Sequence, residues 1–144
     1  YLVRSRGLGD VYKRQGLDRS QVYITNVIKC RPPNNRDPTE EEIIACSIWL
    51  KMQLEIIKPE IIITLGRHST KWIFDYFGLK FDSILKNRGK VYFTEKWNKR
   101  IKIIPTLHPA AVLYHNEWKS IFEEDFKLIA KEIESKPKNL KDFI

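Results

Sequence analysis

The sequence predicts an α/β fold: a mainly parallel central sheet covered on both faces by helices, in three layers. Three observations point to it. Short β-branched and apolar runs alternate with longer segments of helical period. The run IIITLG at 61–66 is apolar without alternation, as in a parallel strand covered on both faces. A capping box near residue 39 and an amphipathic segment at 117–135 mark helices at either end of the pattern.

Taken in order, VYITNV at 22–27 is β-branched and aromatic and reads as the first strand. Arg36-Asp37-Pro38 breaks the chain, and Thr39 with Glu42 makes the T-x-x-E box that starts a helix. Apolar residues then recur at Ile43, Cys46, Leu50, Leu54 and Ile57, a stripe that puts Cys46 on the buried side. After IIITLG, Gly66 closes the second strand, and HSTKWIFDYF opens a second helix with Ser69 or Thr70 as its cap. KNRGKVYFTEKWNKRIKIIP reads as two strands around a polar turn near Asn98, with Pro105 ending the second. The helix at 117–135 turns Trp118, Ile121, Phe122, Phe126, Ile129 and Ile133 inward. Residues 1–15, YLVRSRGLGDVYKRQ, keep no period and are expected to be a leader foreign to the fold. Residues 16–135 form the expected domain, and 136–144 a fraying tail.

Composition bounds the function. With 144 residues, 42% of them apolar and 12% aromatic, the chain makes one domain with a real core. No apolar stretch is long enough for a membrane helix and no signal peptide is visible, so a cytoplasmic protein is expected. The net charge of +8 suits a polyanionic partner such as nucleic acid. Residues 1–15 hold four of the cations against Asp10, +3 of that +8, which leaves +5 on the remainder. Two cysteines, Cys30 and Cys46, do not predict a disulfide in an intracellular chain; they are free thiols or metal ligands. No glycine-rich phosphate loop is present, which argues against a generic nucleotide-binding domain.

In a parallel sheet, ligand sites form beyond the carboxyl ends of the strands. Asn26, Gly66 and His108 occupy those ends, so the topology predicts that they converge. His108, followed by Pro109, is either a surface or capping residue or a donor to developing negative charge. Asn26 either caps a turn or uses its amide, donor and acceptor at once, to read a pyrimidine edge. Lys29, Arg31 and Arg36 flank a double proline and either touch phosphates or stay solvated. His68 and His115 read as ordinary surface residues.

GLDRSQVYITNVIKCRPPNNRDPTEEEIIAC, IIITLG, NRGKVY and IIPTLHPAAVL, in this order from about Gly16 to about Lys131, resemble the iron–sulfur uracil-DNA glycosylases. These are the family-four branch of the uracil-DNA glycosylase superfamily. TN-x-x-KCRPP-x-NR with the second cysteine at this spacing is specific to the branch, while HP followed by small and apolar residues is shared across the superfamily. The resemblance implies hydrolysis of the N-glycosidic bond of deoxyuridine in DNA, for base-excision repair, by a monomer. It implies that Asn26 binds the edge of a flipped uracil and that His108 donates to the uracil oxygen. Cys30 and Cys46 would be two of four ligands to a [4Fe–4S] cluster. Lys29, Arg31 and Arg36 would lie against DNA. The loop from Pro109 through Ala110 to Leu113 would enter the minor groove, with Val112 or Leu113 as the wedge.

That chemistry is physically coherent. A base inside a duplex must leave the stack at a cost of a few kcal/mol, and an apolar wedge supports the distorted step. Cytosine reverses the donor and acceptor order of uracil, so an oriented amide would discriminate by about 1–3 kcal/mol. The sequence departs from the family pattern at its start. The first cysteine pair, the acidic Gly-Glu-x-Pro-Gly motif that ends a strand, and the aromatic residue that stacks on uracil have no match. Tyr114 stands where the family usually has a basic residue. The expectation is a C-terminal fragment that lacks the family's N-terminal strand and is inactive or nearly so by itself. Two rivals are a non-catalytic nucleic-acid-binding module on the same fold and a sister glycosylase of broader base tolerance.

Overall fold

The computed structural model describes residues 19–30 and 32–134; the expected leader, the expected tail and Arg31 lie outside them. Strands β1 (Ile61–Leu65), β2 (Tyr92–Lys96) and β3 (Lys99–Thr106) form one sheet in the order β1-β3-β2. β1 runs parallel to β3, from Ile61 opposite Lys102 to Leu65 opposite Thr106, and β2 pairs antiparallel with β3. The α/β class stands, and the described sheet is mixed rather than mainly parallel. VYITNV is not a strand here. Its composition suits one, but a strand needs a neighbour to take its backbone hydrogen bonds, and no described strand lies beside it.

β3 alternates between two cores, which makes the three layers. Ile101 and Ile103 pack with Leu50, Leu54, Ile73 and Phe74 of helices α1 (Glu40–Ile57) and α2 (Arg67–Phe77). Ile104 points the other way, against Phe126 and Ile129 of the C-terminal helix (Lys119–Glu134). Each of these side chains is worth roughly 1.5–3 kcal/mol when fully buried. Among the described residues no helix is long and apolar enough to cross a membrane.

Local chemistry explains where the elements begin and end. The capping box forms as predicted: Glu42 N–H donates to Thr39 Oγ1 at 3.3 Å, and Thr39 N–H to Glu42 Oε2 at 2.9 Å. α2 starts earlier than predicted, directly after Gly66, and Ser69 and Thr70 are not its caps. Their hydroxyls donate back to the Leu65 and Gly66 carbonyls at 2.8 and 2.7 Å, from inside the first turn. Trp97 and Asn98 both have positive φ, 56° and 58°, as the tight β2–β3 hairpin requires. Pro105 does not end β3 but sits inside it, opposite Thr64. Its carbonyl accepts from Gly89 N–H on the β2 side, so its ring nitrogen faces where β2 has not begun and no ladder bond is lost. Helix α3 (Ile84–Asn87), capped by Ser83, is too short for a period to reveal. Ile57, predicted inward, is 41% exposed, and Ile44, Ile48, Trp49 and Ile56 also face water along α1.

Candidate functional site

β1 and β3 are parallel neighbours, so their carboxyl ends leave the sheet on the same edge. There Gly66 N–H donates to the Thr106 carbonyl at 2.9 Å. Gly66 has φ 87°, and a Cβ built on it would stand 3.1 Å from His108 Cβ. Gly66 thus serves two needs: a backbone conformation that L side chains rarely adopt and room for His108. Of the three residues expected to converge, these two meet.

His108 caps helix α4 (Pro109–Tyr114) with its ring: Nδ1 accepts from Ala110 N–H at 3.1 Å. Accepting at Nδ1 places the proton of the neutral imidazole on Nε2, where it is a free donor. The residue keeps much of its surface in water, yet partial burial of the ring lowers its pKa from the usual 6.5. The expected wedge loop is therefore a short helix. Pro109 is pre-set for its first turn, the His108 ring replaces a hydroxyl cap, and two alanines follow. Leu113 and Tyr114 project from its far end at 84% and 86% exposure, while Val112 is half-buried. Beyond them His115 stacks on Trp118 with centroids 4.2 Å apart.

Asn26 is exposed, and among the described residues its side-chain amide has no hydrogen-bond partner; no hydrogen bond joins it to Gly66 or His108. Its carbonyl accepts from Lys29 Nζ at 2.7 Å. Lys29 also donates to Thr25 Oγ1 at 2.6 Å and to Gln53 Oε1 at 2.9 Å, so its ammonium is spent within the protein. Arg36 is engaged too, in a fork on Glu42 with contacts of 2.9 and 2.6 Å that also braces the capping box. The Arg36 guanidinium holds the Glu42 carboxyl down at about 2. Sequence reasoning also missed a polar cluster beside Gly66. Arg67 pairs with Asp37, and His68 Nε2 lies 3.4 Å from the same carboxylate. Polar residues at a helix start carry no periodic signal, so nothing in the sequence marked them.

Cys30 is exposed, Cys46 is half-buried, and both are free thiols. A [4Fe–4S] cluster takes four thiolates. Among the described residues no group of three or more histidines, cysteines and carboxylates is placed to hold a metal. These residues by themselves do not fit the cluster; they supply half of a ligand set.

A family model of the uracil DNA glycosylase superfamily matches residues 3–133. The chain is 58% identical over 123 residues to the type-4 uracil-DNA glycosylase of Sulfurisphaera tokodaii, covering 85% of the chain and 56% of that protein. It is 50% identical over 129 residues to the type-4 enzyme of Saccharolobus solfataricus, covering 90% of the chain and 60% of the relative. With that of Archaeoglobus fulgidus it shares 49% over 129 residues, again 90% of the chain, and 65% of the relative. The chain thus spans between 56% and 65% of the length of these relatives. A match of this extent, on a sheet whose strand ends join Gly66 to His108, means that the chain belongs to the uracil DNA glycosylase superfamily.

Proposed function

We propose that the chain carries the uracil-recognising part of a type-4 uracil-DNA glycosylase, which hydrolyses the N-glycosidic bond of deoxyuridine in cytoplasmic DNA repair. One observation carries the reading: His108 has its Nδ1 tied to Ala110 N–H, leaving Nε2–H as a fixed donor at the strand ends. A flipped uracil would set its edge against the Asn26 amide and a carbonyl oxygen against His108 Nε2. As the C–N bond breaks, its electron pair moves into the ring and onto that oxygen, where a preorganised donor is worth most. The neutral ring suits this task, because it has one N–H to give and holds its other nitrogen to the backbone. Cys30 and Cys46 bring two of the four thiolates of a [4Fe–4S] cluster. No residue of the sequence matches the family's acidic, water-orienting motif, so the chain alone is expected to recognise uracil without releasing it at a useful rate.

The test is a graft. Residues 20–134 replace the matching section of the S. tokodaii enzyme, and the chimera is incubated with a uracil-containing oligonucleotide. Release of uracil, read as alkali-labile sites, is the expected result; a folded chimera that leaves uracil in place overturns the assignment. The 144-residue chain alone should bind a uracil-containing strand more tightly than the same strand with thymine. Equal affinity would leave the non-catalytic binding module as the better description.

The wedge is tested on the same substrates. Leu113 is 84% exposed on a helix that holds no core position for it. Leu113→Ala should weaken binding to uracil-bearing duplex by about tenfold, as befits a lost wedge in an unstacked step, and leave single-strand binding nearly unchanged. Equal losses on both would remove Leu113 from the groove.

A further inference from the structure

We propose that Lys29 and Gln53 are positioning residues: together with Thr25 they clamp the backbone of Asn26, so that its free amide meets a base in one orientation. This rests on the reading of Asn26 as the uracil reader. Lys29 Nζ has three protons and three acceptors, Thr25 Oγ1 at 2.6 Å, the Asn26 carbonyl at 2.7 Å and Gln53 Oε1 at 2.9 Å. Thr25 Oγ1 closes the ring by donating to Gln53 Oε1 at 3.2 Å. The clamp therefore grips the residue before Asn26 and the carbonyl of Asn26 itself. On its other side Val27 is anchored in the core at 9% exposure. Gln53 roots the ring in α1, next to the buried Leu54. Between these fixed points only the Asn26 side chain is unpartnered among the described residues, and it faces water. Two side-chain torsions remain to be set, where an irregular loop would leave the backbone loose as well.

The rival role for Lys29 is a phosphate contact, and it makes a different prediction. Losing one such contact lowers the salt slope of binding by about 0.9. Losing a clamp leaves that slope alone. Three variants of the 144-residue chain separate the cases: Lys29→Met and Gln53→Leu remove the clamp, and Gln53→Glu keeps its acceptor. Backbone 15N relaxation is the first readout. The Asn26 amide should fall from an order parameter near 0.85 to below about 0.6 in Lys29→Met and Gln53→Leu and stay ordered in Gln53→Glu, with the β-sheet amides unchanged in all three. Affinities for single strands holding uracil or cytosine are the second. The uracil preference should drop roughly tenfold in the two clamp-free variants, at an unchanged salt slope, and return in Gln53→Glu.

An Asn26 that stays rigid in both clamp-free variants overturns the proposal. So does an undiminished uracil preference, or a salt slope that falls by one contact in Lys29→Met. If the unmodified chain itself shows no uracil preference while Asn26 loosens as expected, the clamp stands and the uracil reading fails.

Discussion

Replacing His108 by alanine in the grafted enzyme should slow uracil release by about 10²–10³, the equivalent of roughly 3–4 kcal/mol of lost charge stabilisation. Affinity for uracil-containing DNA should hardly change, because a donor aimed at charge that appears only as the bond breaks acts on the transition state. Single-turnover release against equilibrium binding makes the distinction. If the variant instead loses affinity and keeps its single-turnover rate, His108 is a binding residue and the mechanism is wrong. Part of the loss could be structural, since the ring also caps α4 through Ala110 N–H. His108→Asn is the control: its carboxamide oxygen can accept at the cap, but it puts no donor where Nε2–H stood. It should keep α4 in place and remain slow.

The same ring predicts a pH dependence with a definite sign. Burial lowers the His108 pKa from 6.5, so the neutral ring, with Nδ1 accepting and Nε2 donating, is the form present at neutral pH. Above 6.5 the ring is neutral in folded and unfolded chain alike. As pH falls toward the lower folded value, the unfolded chain takes up a proton first, and stability declines. Once protonated, Nδ1 becomes a donor facing the Ala110 N–H, and the cap is lost. An NMR titration of the His108 ring should place its midpoint below 6.5; a midpoint at or above that value would mean that the ring is not partly buried as described.

The sequence was most legible where one interaction dictates one pattern. The Thr39–Glu42 box and the C-terminal helix follow from a cap and a period that their own residues satisfy, whereas the strand at 61–65 forms as read but lies at the edge of the described sheet with Ile63 37% exposed, not covered on both faces. It was least legible where a residue's role depends on something distant along the chain. VYITNV has the composition of a strand and no described partner to make it one. Lys29 and Arg36 read as free cations because their acceptors, Gln53 at 24 residues' separation and the Glu42 carboxylate, cannot be inferred from local pattern. At the site, strand order predicted the meeting of Gly66 and His108, and capping was one of the readings left open for His108, with nothing in the sequence to choose among them. A histidine ring as a cap has no sequence signature comparable to a hydroxyl three residues before a glutamate.

Asp125→Ala should be the most destabilising single substitution in the fold, by about 3–5 kcal/mol, the usual cost of breaking a buried ion pair from one side. Asp125 is 1% exposed and collects four contacts. Arg88 Nε donates to its Oδ2 at 2.8 Å, Arg88 Nη2 makes a second, close bond to Oδ1, and Thr106 Oγ1 donates at 2.7 Å. The fourth is the bare backbone of Gly89, at φ 65°, where a Cβ would come within 2.5 Å of Oδ1. Arg88 further donates to the Ile121 carbonyl at 3.0 Å, so one guanidinium ties the loop after α3 to the C-terminal helix. The Asn87-Arg88-Gly89 stretch, one of those that carry the family resemblance, is thus structural. Asn87 is used locally as well, accepting from Asp82 and Ser83 N–H and donating to the Tyr92 hydroxyl. Alanine at 125 strands Arg88 and frees Thr106, two residues before His108. The loss should therefore appear twice, as a lower urea midpoint at unchanged m-value and as a disturbed His108 resonance. Removing both charges, Arg88→Met with Asp125→Leu, should recover most of the lost stability, because no uncompensated charge is left inside. A double variant as unstable as Asp125→Ala alone would mean that packing at this site, and not the ion pair, holds the end of β3.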